Sequence, residues 1–166
     1  MAAITVGNQD WSIVEAVQTA LSSAAIQGAS VFQAVTVTTS DRQAGQCQFH
    51  TSPIAVLRYV TTKEDHSPEG VRGGIVALEL ILAAQIDATG LSESTRLREV
   101  LRLKNAAINA VEQAPPDDSS AWGDGDHYHA RIRWGPTEID TSVRQPWVMC
   151  RLPAEIGFAL DGPTSH

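Results

Sequence analysis

Cysteine, clustered basic residues and long apolar runs are all scarce in this chain, and each scarcity excludes something. The 166 residues include two cysteines, Cys47 and Cys150. They lie far apart and form no CxxC pair. A domain of this size needs no disulfide framework, so buried free thiols are expected. Twelve Lys and Arg stand against nineteen Asp and Glu, a formal net charge of -7 at pH 7. That balance argues against a protein gripping nucleic acid over a broad face, which needs clustered cations. The densest basic group, Arg96, Arg98, Arg102 and Lys104, falls on a predicted helix and reads as a solvated face. Met1–Trp11 has no basic region followed by an apolar run, so no cleavable secretory signal is expected. The one long apolar segment is interrupted by Glu79 and Gln85 and falls short of the ~20 residues of a spanning helix. The expectation is a soluble chain made in the cytoplasm, with no membrane partner.

Signatures of catalysis are missing as well. There is no GxSxG elbow, and Cys47 and His50 have no marked third group to orient them. Gly70–Gly74 lacks the Lys-Ser/Thr of a phosphate-cradling loop, and Asp117–Asp126 does not match the spacing of a calcium loop. No internal repeat or low-complexity tract is present. No catalytic residue and no cofactor is therefore assigned.

What is present is a globular pattern. With 43% hydrophobic and 19% charged residues, the chain reads as one domain over 1–166, large enough to bury a core, with Asp161–His166 as a disordered tail. The segment Gly73–Ile86 organises the rest. Read with period two, Val76, Leu78, Leu80, Leu82, Ala84 and Ile86 share one face. Ile75, Ala77, Glu79, Ile81, Ala83 and Gln85 share the other, so the polar residues fall on one side, as in a strand. A strand this long needs a partner and a cover. Ile54–Thr61, after the break at Ser52–Pro53, supplies an antiparallel partner across a polar loop, Thr62–Gly74. Ser92–Gln113, ended by Pro115–Pro116, supplies an amphipathic helix with Leu97, Val100, Leu101, Ala107, Ile108 and Val111 inward and Arg98, Arg102, Asn105, Asn109 and Glu112 outward.

Around this centre lie further predicted elements. A helix over Ser12–Ala25 carries a stripe of Val14, Val17, Leu21, Ala24 and Ala25. It is capped by Ser12 with Glu15 or by Asp10, and stopped by Gly28. Val31–Thr39 is β-branched and alternating, hence a strand. Asp41–Phe49 fits a short helix or a loop equally. Pro116–Asp126 is a polar loop. Strands follow at His127–Trp134, at Glu138–Ser142 after a turn at Gly135–Pro136, at Trp147–Leu152 and at Glu155–Leu160. The fold class is α+β, a mainly antiparallel sheet with two principal helices packed on it.

The sharpest chemical candidate is the Asp124–His129 cluster. His127 and His129 point the same way on a strand, and Asp124 and Asp126 could add carboxylate oxygens for a transition ion. The ligand count is short of a zinc site, and acidic glycine turns are ordinary, so no metal is assigned. Glu79 is expected to pair with Arg58, Arg131 or Arg133 on a neighbouring strand or to lie at a subunit contact. Trp122, in a loop, is a candidate interface anchor, whereas Trp11 and Trp134 read as core edges.

This order of elements resembles the tail terminator, or tail completion, proteins of long-tailed bacteriophages. The matching parts are the Ser12–Ala25 helix, the Ile54–Thr61 and Gly73–Ile86 strand pair around its polar loop, the single long helix Ser92–Gln113, and the β region His127–Leu152. Asp41–Phe49 and Pro153–His166 have no place in the pattern. The resemblance implies a structural virion protein in the tail-neck region, assembled in the host cytoplasm. As a homo-oligomeric ring, expected to be a hexamer, it would cap the tail tube and join it to the head connector. DNA would pass through the lumen without specific binding, and no active site is required. Its partners would be itself, the tail tube protein and the head-tail connector protein. Loops would serve as contact arms, which makes Lys63, Glu64, Asp65, Glu79 and Trp122 the candidate interface residues. Other readings are a head-tail connector or neck protein, a small metal-dependent enzyme using the Asp124–His129 cluster, and a ligand-binding domain with a pocket between the long helix and the sheet.

Overall fold

The structure is a computed structural model and describes residues 9–39, 52–66, 72–86, 92–113, 131–141 and 147–160. The elements are α1 (Gln9–Ser22), β1 (Ala25–Ile26), β2 (Ala29–Ser30), β3 (Ala34–Thr38), β4 (Ile54–His66), β5 (Arg72–Gln85), α2 (Glu93–Gln113), β6 (Arg131–Trp134), β7 (Glu138–Asp140) and β8 (Trp147–Leu160). The α+β reading holds. The main sheet runs β3-β4-β5-β8-β6, with β7 also paired to β8. Every pairing in it is antiparallel except that of β3 with β4. The segment Asp41–Phe49 and the tail Asp161–His166 lie outside the described residues.

β5 is the middle strand, and its alternation sorts the two faces. Val76, Leu78, Leu80, Leu82 and Ala84 are all at most 3% exposed and join the main core. Ala55 and Leu57 of β4 and Val148, Cys150, Leu152, Ala154 and Ile156 of β8 lie in the same core. Both helices cover this face. α1 contributes Ile13, Val14, Val17, Ala20 and Leu21, and α2 contributes Val100, Leu103, Ala107 and Val111. These helical positions recur at three- and four-residue intervals, the spacing that puts side chains on one helix stripe. Leu103, absent from the expected stripe, is fully buried, whereas the expected Leu97 is 40% exposed. Ala25, expected on the α1 stripe, is exposed in β1.

The ends of α1 differ from expectation. The helix begins at Gln9, so Ser12 lies inside it and cannot cap it. Asp10 sits in the first turn, where a carboxylate is favoured by the helix dipole. The helix also stops earlier, at Ser22, and Gly28 has another task. Gln27 at φ 52° and Gly28 at φ 83° form the two-residue turn between β1 and β2. Positive φ at both central residues marks the tight hairpin turn whose twist matches the flanking strands. The start of α2 matches expectation: Ser92 Oγ accepts from the Thr95 amide at 3.3 Å, an N-cap contact.

The expected loop Thr62–Gly74 is largely strand. β4 continues to His66 and β5 begins at Arg72, in register Glu64↔Gly74, Asp65↔Gly73 and His66↔Arg72. Backbone pairing needs no apolar side chain, so a polar, glycine-bearing stretch can lengthen a hairpin that already has its partner. β8 pairs alongside as far as Arg72↔Leu160. It is one strand where two were expected, and it passes through Pro153 without interruption. The Pro153 carbonyl accepts from the Gly135 amide at 2.8 Å. A residue's N–H and C=O point to the same side of an antiparallel strand, so the missing N–H faces the Gly135–Thr137 gap between β6 and β7, and β5 loses no bond. Gly135–Pro136 is accordingly not a hairpin turn. It is a break in an edge strand whose two halves both pair with β8. A Cβ on Gly135 would stand 3.0 Å from Pro153 Cβ, which explains glycine there.

Candidate interaction surface

The face of the sheet turned away from both helices is built in rows by the strand register. Ile54↔Ala83↔Met149 comes first, then Val56↔Ile81↔Arg151, Arg58↔Glu79↔Pro153, Thr61↔Ala77↔Glu155 and Lys63↔Ile75↔Gly157. The first two rows, apart from Arg151, are apolar and buried, forming a second core of Ile54, Val56, Ile81, Ala83 and Met149 with Ala34 and Trp147 against it. Beyond them the face turns charged, and then mixed, with Val60 and Ile75 exposed at 45% and 42%.

Glu79 occupies the boundary between these zones. Its Oε1 accepts from Arg58 Nε at 3.1 Å and from Arg151 Nη1 at 3.4 Å. The three side chains are half-buried, at 15% for Glu79, 19% for Arg58 and 30% for Arg151. Arg58 lies directly opposite Glu79 across β4 and β5, as expected. Arg131 and Arg133 are on β6, which is separated from β5 by β8, and Arg133 is in register with Glu155. Arg151 is not among the expected partners; it reaches Glu79 diagonally, because β8 runs unbroken in the register Ile81↔Arg151 and Glu79↔Pro153.

A β-bulge falls between Tyr59 and Thr61, since Tyr59 pairs with Leu78 and Thr61 with Ala77. Val60 is the surplus residue. Past it, Thr62 turns back to the helix side. There its hydroxyl donates to Asp10 Oδ2 at 3.2 Å and contacts the Tyr59 hydroxyl in a short hydrogen bond. Lys63 turns outward and is exposed. Past the bulge, the pairs from Thr62↔Val76 to His66↔Arg72, with β8 alongside to Leu160, carry the sheet on as a three-stranded arm for about 14 Å, at ~3.4 Å per residue.

The candidate residues thus separate. Lys63, Glu64 and Asp65 sit on the β4 arm, in strand and not in a loop. Glu79 is on the same sheet, nearer its centre. Trp122, the Asp124–His129 cluster, Cys47 and His50 lie outside the described residues. Among the described residues no group of three or more His, Cys, Asp or Glu could hold a metal, and no helix is long and apolar enough to cross a membrane.

Elsewhere, Cys150 is a free, buried thiol on the core side of β8. Burial pushes its pKa up to about 11, against a smaller opposing pull from Lys104. That is the chemistry of an inert core thiol. On α2, Arg102 Nε donates to Glu99 Oε2 at 3.0 Å, and this bond raises the guanidinium pKa. Trp134 Nε1 donates to Glu112 Oε1 at 2.9 Å, tying β6 to the last turn of α2. Trp134 packs at the core edge as expected, whereas Trp11 is 50% exposed.

No protein-family model matches the chain, and no curated protein matches it in sequence.

Proposed function

We propose that this chain is a structural subunit of a long-tailed bacteriophage, a tail terminator that assembles as a ring between the tail tube and the head connector. The observation that carries the reading is the arm: β4, β5 and β8 stay paired past the Val60 bulge as far as His66, Arg72 and Leu160, with Val60, Ile75 and Lys63 exposed. A ring requires a heterologous contact, in which one part of a subunit reaches a different part of the next. A strand arm continuous with a well-packed sheet suits that task because it is rigid at its root. The order of elements, with a short helix, a long antiparallel pair, one long helix and a C-terminal β region, also supports the reading.

In this proposal the subunit acts by geometry. Copies, six by the family resemblance, close around a lumen through which DNA passes. The net charge of -7 at pH 7 favours passage over adhesion, since like charges disfavour contact with phosphate. The tail tube protein and the connector protein are the partners on the two rims. Sedimentation and negative-stain electron microscopy of the purified chain, alone and mixed with tail tubes, test this. Rings with a central hole, or rings formed on tube ends, are the expected result. A monomer at all concentrations that ignores tail tubes overturns it.

A further inference from the structure

We draw no further inference here: the strongest candidate, the half-exposed Val60 and Ile75 patch on the outward face of the β4–β5–β8 arm, belongs to the surface already proposed for ring contacts, and nothing in the structure shows what covers it.

Discussion

Replacing Glu79 with alanine removes an acceptor that Arg58 and Arg151 share, and leaves two half-buried guanidinium groups facing the vacated site. The expected cost is set between two limits. Fully exposed ion pairs contribute about 0–1 kcal/mol, whereas breaking a fully buried pair costs about 3–5 kcal/mol. The side chains here are 15–30% exposed, and only the 3.1 Å contact to Arg58 has ordinary hydrogen-bond geometry, the 3.4 Å contact to Arg151 being near the outer limit. One good charge-assisted bond plus residual repulsion therefore places Glu79→Ala at about 2 kcal/mol of lost stability. For a chain of 166 residues that corresponds to a fall in Tm of about 4–8 °C. Glu79→Gln keeps the shape and an acceptor oxygen but loses the charge, and should cost about 1 kcal/mol. Urea unfolding of Arg58→Ala, Glu79→Ala and the double variant isolates the pair, with an expected coupling of about 1 kcal/mol. Because the pair is shielded, most of that coupling should survive 0.5 M salt. A Glu79→Ala variant within about 0.5 kcal/mol of the parent, with no coupling in the cycle, would refute the reasoning.

Four further outcomes follow from the same structure. Leu103→Ala, at a fully buried position of α2, should lose about 2–5 kcal/mol in urea unfolding, and Leu97→Ala, at 40% exposure, well under half of that. Gln27→Asn should gain about 0.5 kcal/mol by supplying a side chain that tolerates the positive φ of the β1–β2 turn better than glutamine does. Gly28→Ala should lose about 1 kcal/mol in the same assay, from backbone strain alone, since nothing lies within 4 Å of the added Cβ. Cys150 ionises less readily in the folded chain than in the unfolded one, so the stability it confers is complete below about pH 9 and is lost as pH rises towards about 11. Unfolding free energies at pH 8 and pH 10.5, each compared with Cys150→Ala, should show a steeper alkaline fall in the parent.

The centre of the fold is readable from residue order, because a half-covered strand must alternate and a covering helix must carry a stripe. Val76 to Ala84 and Val100 to Val111 obey those rules closely enough to place β5 under α2. The same alternation puts Glu79 on the open face, with Arg58 one of three arginines that could meet it there. The arm was harder to see, because Lys63, Glu64 and Asp65 have the composition of a turn. They are held in strand by partners across the sheet, a term that residue type does not report. The β1–β2 hairpin is illegible for the opposite reason: its two-residue strands carry no period, and the turn at Gln27–Gly28 organises them. Pro153 lies between the two strands read from the sequence, yet β8 runs through it. Proline forbids a donor only where a neighbour needs one, and the neighbour at that point is the Gly135–Thr137 break.

The bulge at Val60 separates two properties that most strands bind together. Tyr59↔Leu78 and Thr61↔Ala77 are adjacent rungs, and Val60 is a spare residue between them. Deleting it would leave Thr62 facing Asp10 and Lys63 facing out. What it would remove is the extra bend and twist that a bulge imparts to its strand. The fold and the twist of the arm can therefore vary independently, because the residue that sets the twist holds no place in the pairing register.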